Sequence, residues 1–478
     1  MNHQPHQTIL FLAPLILLMF LAPYAEEYFL EENKEVLDPI PTWSELLDEE
    51  KEKIVLKSDI DQVESDSTQS LQLDSLEIDF SRWIPDYAVH SASTIPDSLR
   101  LTGTELAFDK LFTFFEKLES ISETDTEPVE IFHWGDSQIE GDRISGLLRS
   151  SWQKSWGGSG PGLLPAYQPI PALSIRQESD GNWTRYTRFG QIDSTLEHSA
   201  YGPMAAFCMV GSDAQITLKP HPSGFKLNKV WPRIKFSIGA APLGGNITLS
   251  GVTNAYRAFS IRPTSTSMHN EIVAHLEDGE TELKIGFEGY KIEVTGVELG
   301  SSYGVQLHNI PMRGSAGMIF TKLDAKHFKR TIENRDVGLM ILQFGGNVVP
   351  YIRDTIAAQR YGRRFAKQLV YLKGIKPNTA IIVVGPSDMG DSSDDTTFPM
   401  LYSVIENLKL AAESEDCLFW DTHIVMGGRG SMLSWSESDP KLASPDLIHF
   451  TPKGARLIGK QLDHSIRAEY KSWTQWRR

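Results

Sequence analysis

Apolar and polar positions alternate in two textures along this chain. From about Leu106 the residues Leu106, Phe108, Leu111, Phe112, Phe115 and Leu118 recur at helical spacing, and Val129-Glu-Ile-Phe-His-Trp-Gly135 then reads as a short, mostly apolar strand. A second helical stripe follows at once, with Ile144, Leu147, Leu148 and Trp152 at spacings of three and four on the stretch 140–153. The pattern returns at Val337-Gly-Leu-Met-Ile-Leu-Gln-Phe344, the amphipathic run 351–373, Thr379-Ala-Ile-Ile-Val-Val-Gly385, the segment from Leu418, and a final helix from Pro452. Apolar strands alternating with helices predict an α/β fold, a parallel sheet covered by helices on both faces.

Between these halves, residues from about 180 to 299 have another texture. Short alternating runs such as Lys235-Phe-Ser-Ile-Gly239, Asn246-Ile-Thr-Leu-Ser250 and Glu282-Leu-Lys-Ile-Gly-Phe287 are divided by Gly, Asn, Asp and Pro, with no convincing helix. This predicts an all-β insert, read as a sandwich. Gly157-Gly-Ser-Gly-Pro-Gly162 lacks the Lys-Ser/Thr of a phosphate loop and reads as a flexible exit from the sheet into the insert.

The first hundred residues differ again. Thr8 to Ala25 is an uncharged, largely apolar run of 18 residues, close to the roughly 20 needed to span a bilayer. It reads either as a signal peptide, with a small-x-small pattern at Ala22-Pro-Tyr-Ala25, or as a retained anchor; both imply export. Residues 26–79 then carry 18 Asp and Glu against four Lys, and few aromatics, a composition that reads as a disordered tether. The domain layout is therefore a signal or anchor over 1–25, an acidic tether over 26–100, the sheet domain in two parts over 101–165 and 300–478, and the insert over 166–299.

Of the net charge of −16, nearly all lies in the tether, so the folded body is close to neutral. That argues against a nucleic-acid binder, which needs a concentrated basic surface. Two cysteines, Cys208 and Cys417, are too few for a disulfide scaffold or a zinc finger, and no His, Asp and Glu cluster has metal-ligand spacing. The sequence implies neither metal nor cofactor.

The chemistry concentrates at His133-Trp-Gly-Asp-Ser137-Gln-Ile-Glu-Gly141, where an apolar strand ends in a tight turn and passes into a helix. A serine there faces out at the carboxyl edge of the sheet, where helix N–H groups favour developing negative charge. It needs a base. Asp446-Leu-Ile-His449 offers one, with an acid three residues ahead to orient the imidazole, and Phe344-Gly-Gly-Asn347 would bring an amide donor to the same edge.

These motifs in this order resemble the SGNH (GDSL-type) hydrolase family over roughly 125–160 and 298–470. The resemblance implies a three-layer α/β/α, flavodoxin-like sheet with Ser137 as nucleophile and Asp446 and His449 completing a triad. It implies an oxyanion hole of the Ser137 N–H, the Gly314 N–H in Pro311-Met-Arg-Gly-Ser315, and the Asn347 side chain. Gln138 stands where the family usually has Leu, and Val348 follows Asn347 where many members have Asp or Glu. The Gly-Asp-Ser-Gln turn, the long β insert, Val384-Gly-Pro-Ser-Asp388 and Met426-Gly-Gly-Arg-Gly-Ser-Met432 are similar to the bacterial peptidoglycan O-acetylesterase branch, in which a carbohydrate-binding-module-like β domain is inserted here.

The expected protein is thus a serine ester hydrolase of the cell envelope that removes O-acetyl groups from a glycan such as peptidoglycan, periplasmic or held to the inner membrane by residues 8–25. Two alternatives stay open: an O-acetyltransferase on the same triad, fed by a membrane acyl-donor partner, and a non-catalytic glycan-binding protein. His133 reads as a hydrogen-bonded core histidine, His423 ranks below His449 as the base, and Trp183, Tyr186, Trp231 and Tyr256 read as core or rim of the insert more than as a sugar-stacking platform.

Overall fold

The computed structural model describes residues 99–265, 269–391 and 396–477. The apolar run 8–25 and almost all of the tether lie outside the described residues. Leu99 and Leu101 are already buried, and Arg100 makes a two-armed ion pair with Glu469, so the folded body takes in the last residues assigned to the tether. Among the described residues no helix is long and apolar enough to cross a membrane.

The central sheet has five parallel strands: β1 (Val129–Gly135), β11 (Val305–Pro311), β12 (Val337–Gln343), β13 (Ala380–Val384) and β16 (Leu418–Trp420), in the order β11-β1-β12-β13-β16. Counted along this sheet alone the order is 2-1-3-4-5, the flavodoxin-like arrangement. These strands carry unbroken apolar runs because both faces are covered: α1 (Glu105–Glu119), α2 (Ser145–Trp156) and α8 (Pro452–Arg477) pack one side, and α4 (Thr355–Ile375) and α5 (Leu401–Ser414) the other. N-terminal caps fix where helices begin. Thr104 accepts a hydrogen bond from Ala107 N, and Asp354 accepts one from Ala357 N, each worth about 1 kcal/mol.

The insert contains β2 (Gly162–Leu164), β3 (Ile175–Thr187), β4 (Ala206–Pro220), β5 (Arg233–Ile238), β6 (Gly245–Gly251), β7 (Arg257–Ile261), β8 (Asn270–His275), β9 (Leu283–Gly289) and β10 (Ile292–Gly300). It begins a few residues before 166, because β2 pairs with β10. All nine strands form one continuous hydrogen-bonded sheet joined through the long strand β4 and through β10, around an apolar core of its own that includes Ile216, Phe236, Leu249 and Phe287.

The glycine-rich passage into the insert is tightly packed, unlike the flexible exit expected. Gly158 has φ 100°, and a Cβ on it would lie 2.5 Å from the Val305 carbonyl oxygen. Only a glycine lets these two backbones approach so closely.

A buried ionic cluster ties insert to sheet. Arg335 Nη1 donates to both carboxylate oxygens of Glu130 on β1 and to Glu298 on β10, while Nη2 donates to Glu271 on β8, all at 2.9–3.0 Å.

Candidate active site

Strand register sets the site. Gly135, the last residue of β1, is level with Pro311 at the end of β11 and Gln343 at the end of β12. These are the neighbours on either side of β1, where the strand order reverses, and ligands of open α/β sheets bind outside the strand ends at that crevice. The residues following the three ends are Ser137, Gly314 and Asn347. The loops are stitched together as they leave the sheet, since Met312 N donates to Gly135 O at 2.7 Å and Asp136 N to Gln343 O at 3.1 Å.

Ser137 opens a short 3-10 turn, Ser137–Asp142, capped by Asp136, whose side chain accepts from Gln138 N at 3.0 Å. Behind the turn, Asp142 adopts a positive φ of 62° and is held by a buried two-armed pair with Arg149 of α2, at 2.6 and 3.0 Å. Burial pushes the Asp136 carboxyl up to about 6, against the opposing pull of the Gln138 N–H and of nearby His449.

The base comes from the loop between α7 (Ser431–Glu437) and α8. Ser137 Oγ lies 2.8 Å from His449 Nε2, and His449 Nδ1 lies 2.7 Å from Asp446 Oδ2. The other oxygen of Asp446 accepts from the Ile448 and His449 backbone N–H groups at 2.9 and 3.0 Å. Burial raises the Asp446 carboxyl, but its hydrogen bonds to His449 and the backbone outweigh that and hold it below the usual carboxylate range. The three side chains named from sequence therefore meet in one hydrogen-bonded chain. An alcohol, an imidazole and an ionised carboxylate so arranged can pass a proton from the hydroxyl to the ring, which makes the hydroxyl a nucleophile.

Gly314 and Asn347 occupy the adjoining loops. Gly314 has φ 73°, a conformation that favours glycine, and Asn347 Nδ2 donates to Ser315 O at 3.1 Å, which joins the second and third loops beside Gly314.

Several residues that frame the site escaped the sequence reading. Gln138 Nε2 donates to Ile448 O at 2.6 Å, and Gln138 Oε1 accepts from Phe450 N at 3.4 Å. Arg143 donates to Phe450 O at 2.8 Å, to Glu140 O at 2.9 Å and to Ser137 O at 3.2 Å. Glu140 forms a two-armed ion pair with Arg313, at distances down to 2.5 Å, linking the serine turn to the loop that carries Gly314. Gly390 N donates to Leu447 O at 2.8 Å and supports the histidine loop from β14 (Gly390–Asp391), which pairs with β15 (Thr396–Thr397). The only sequence signal was a polar side chain next to the serine at a place usually apolar.

The other histidines and aromatics fall elsewhere. His133 is fully buried between Ser145 Oγ at 2.9 Å and Gln343 Oε1 at 3.2 Å, and burial lowers its pKa to about 3, so it stays neutral. His423 Nε2 lies 3.8 Å from Asp388 and outside the Ser137 chain. Trp183 packs edge-on against Phe287, Tyr186 stacks on Phe207, Trp231 is buried, and Tyr256 is exposed. Among the described residues one trio has metal-ligand chemistry, Glu130, Glu298 and His308, and the Arg335 guanidinium already bonds to both of its carboxylates.

No family model matches this chain, and no curated protein matches it. Solved structures do. A peptidoglycan O-acetylesterase, described as in action at 5 min, aligns with 78% of this chain and 99% of its own at 21% identity and a TM-score of 0.60. A family two carbohydrate esterase from Cellvibrio japonicus covers 63% and 99% at 9% identity and a TM-score of 0.24. A GDSL-like lipase from Parabacteroides merdae covers 34% and 74% at 16% identity and a TM-score of 0.26. The first likeness, spanning nearly all of the solved chain, is one of fold: the solved chain shares the architecture of a five-stranded parallel sheet with a β-rich extra domain.

Proposed function

We propose that this protein is a serine esterase that removes O-acetyl groups from an envelope glycan such as peptidoglycan. The observation that carries the reading is the continuous chain from Ser137 Oγ through His449 to Asp446, at the end of β1. The overall likeness to a peptidoglycan O-acetylesterase supports the choice of substrate.

In this reading His449 Nε2 takes the Ser137 hydroxyl proton as Oγ attacks the acetyl carbonyl carbon. Asp446 holds Nδ1–H, which fixes the tautomer that leaves Nε2 free to accept, and stabilises the imidazolium that forms. The Ser137 and Gly314 N–H groups and the Asn347 amide receive the oxyanion. The imidazolium then protonates the departing sugar oxygen, leaving an acetyl group on Ser137. Water, deprotonated by His449, attacks that ester, and the resulting imidazolium returns the proton to Ser137 Oγ as acetate leaves, so the step needs no metal or cofactor. A sugar hydroxyl in place of water would make the same residues a transferase. The insert beside this edge is proposed to hold the glycan, and residues 8–25 to direct the chain to the periplasm or anchor it at the inner membrane.

The test is acetate release from O-acetylated peptidoglycan and from a small acetyl ester by wild type and Ser137→Ala. The esterase reading expects release by wild type alone. Equal release by the two proteins would remove Ser137 as the nucleophile, and no release by either would leave a glycan-binding protein. Acetylated sugar formed from a donor ester and a glycan acceptor, in preference to free acetate, would make it a transferase.

A further inference from the structure

The histidine loop turns at Pro445 and Asp446, bends through His449 and bridges back to its own chain at Phe450, and its two sides are satisfied in different ways. On one edge the loop pairs with its own chain: Ser444 N donates to His449 O at 2.8 Å, Thr451 N donates to Leu442 O at 3.1 Å, and Ala443 and Phe450 form an antiparallel bridge. The other edge presents Ile448 O, Phe450 N and Phe450 O, and among the described residues no backbone strand pairs with it. The serine turn fills it with side chains. The Gln138 amide donates to Ile448 O and accepts from Phe450 N, and Arg143 donates to Phe450 O. A primary amide has one donor face and one acceptor face, so here it does what a residue of a neighbouring strand would do. The peptide groups it grips are the two that flank His449, and Gln138 is bonded covalently to Ser137.

We propose that Gln138 is a positioning residue that acts as a one-residue strand partner for the histidine loop, setting the His449 imidazole against Ser137 and Asp446. This rests on the reading of those three side chains as the reacting triad. Without such a grip, the segment carrying the base would be tied to the serine turn through Arg143 and the Ser137–His449 contact itself, 312 residues apart in sequence. With it, donor and base move as one body. The requirement is specific. An ionised Glu at 138 could accept from Phe450 N, but it cannot donate to Ile448 O and would set a carboxylate against that carbonyl.

The test compares wild type, Gln138→Met, which keeps length and apolar volume without the amide, and Gln138→Glu. Two readouts are used: steady-state hydrolysis of a small acetyl ester, and the downfield NMR resonance of the His449 Nδ1 proton shared with Asp446. The expected result for Gln138→Met is a fall in kcat of roughly 10- to 100-fold, the scale of a small misplacement of reacting groups, with KM held within about threefold. The Nδ1 resonance is expected to broaden or vanish, and Gln138→Glu to do no better. Wild-type kcat together with an unchanged resonance in Gln138→Met would overturn the proposal. So would lost activity with the resonance intact, which would make Gln138 a substrate contact, and so would recovery in Gln138→Glu. A wild type that hydrolyses no ester, but loses the resonance on Gln138→Met, would refute the esterase reading and leave the positioning role standing.

Discussion

Ser137 and His449 lie 312 residues apart in sequence and 2.8 Å apart in space. Two folded halves must close around a nine-stranded insert for this contact to form, and the flavodoxin-like strand order achieves it. β1 lies inside the sheet between strands that follow the insert, so the first apolar strand cannot complete its pairing until the chain after residue 300 has folded.

Asp446→Asn tests the far end of that chain. An amide keeps the size of the side chain, but its NH2 group competes to donate toward the ring and favours the tautomer with the proton on Nε2, where it cannot accept from Ser137. We expect kcat to fall by roughly 10³–10⁴, with the thermal midpoint within a few degrees of wild type. A loss of less than tenfold in acetyl-ester turnover would remove Asp446 from the mechanism.

Asn347→Ala removes one proposed oxyanion donor and also the hydrogen bond to Ser315 O. The expected loss in kcat is about 10²–10³ with little change in KM, because the donor is needed most when charge develops on the carbonyl oxygen. An undiminished kcat would restrict Asn347 to tethering the Ser315 loop.

Most of this frame was legible in the sequence. Val129–Gly135 was read to the residue because a strand buried on both faces is an uninterrupted apolar run with a turn at its end. Asp446 and His449 were legible because acid, turn and base sit within four residues, so their contact is local. Gln138, Arg143, and Glu140 with Arg313 were not, since each acts on a partner between 170 and 310 residues away, and a lone polar side chain in a loop carries no mark of what it will meet. The order of strands within the insert escaped for a related reason. Alternation along β4 or β9 tells which face is buried and says nothing of which strand lies alongside.

Arg335→Met tests the junction of insert and sheet. Arg335 is buried, as are Glu130 and Glu298, so removing the guanidinium leaves two carboxylates without their shared cation. Breaking a buried pair from one side costs on the order of 3–5 kcal/mol, which calorimetry at pH 7 should detect as a clear drop in midpoint. The pH dependence has a definite sign. Burial raises the Glu271 carboxyl, but His269, Arg335 and Lys235 together hold it down, from an ordinary 4.5 to about 2. A group depressed in the fold lends stability above pH 4.5 that is lost as pH falls toward 2. Wild type should therefore lose midpoint steeply across that window, and Arg335→Met should lose less. Parallel curves for the two proteins would count against the cluster as the source.

Asp136→Asn should stabilise the protein, and only on the alkaline side. The Asp136 carboxyl is almost fully buried, and burial raises it from an ordinary 3.8 to about 6. A carboxyl raised in the fold favours folding fully below 3.8, and that advantage is lost as pH rises through 6. At pH 8 the native state therefore holds an ionised carboxylate in a site that prefers the neutral acid, at a cost on the order of 3 kcal/mol. Asparagine removes the charge and keeps an oxygen to cap the serine turn through the Gln138 N–H, 3.0 Å away in wild type. The expected outcome is a higher thermal midpoint than wild type at pH 8, with the difference closing by pH 4. A variant less stable than wild type at pH 8 would mean that the ionised carboxylate contributes more to the turn, through that N–H and His449, than its burial costs.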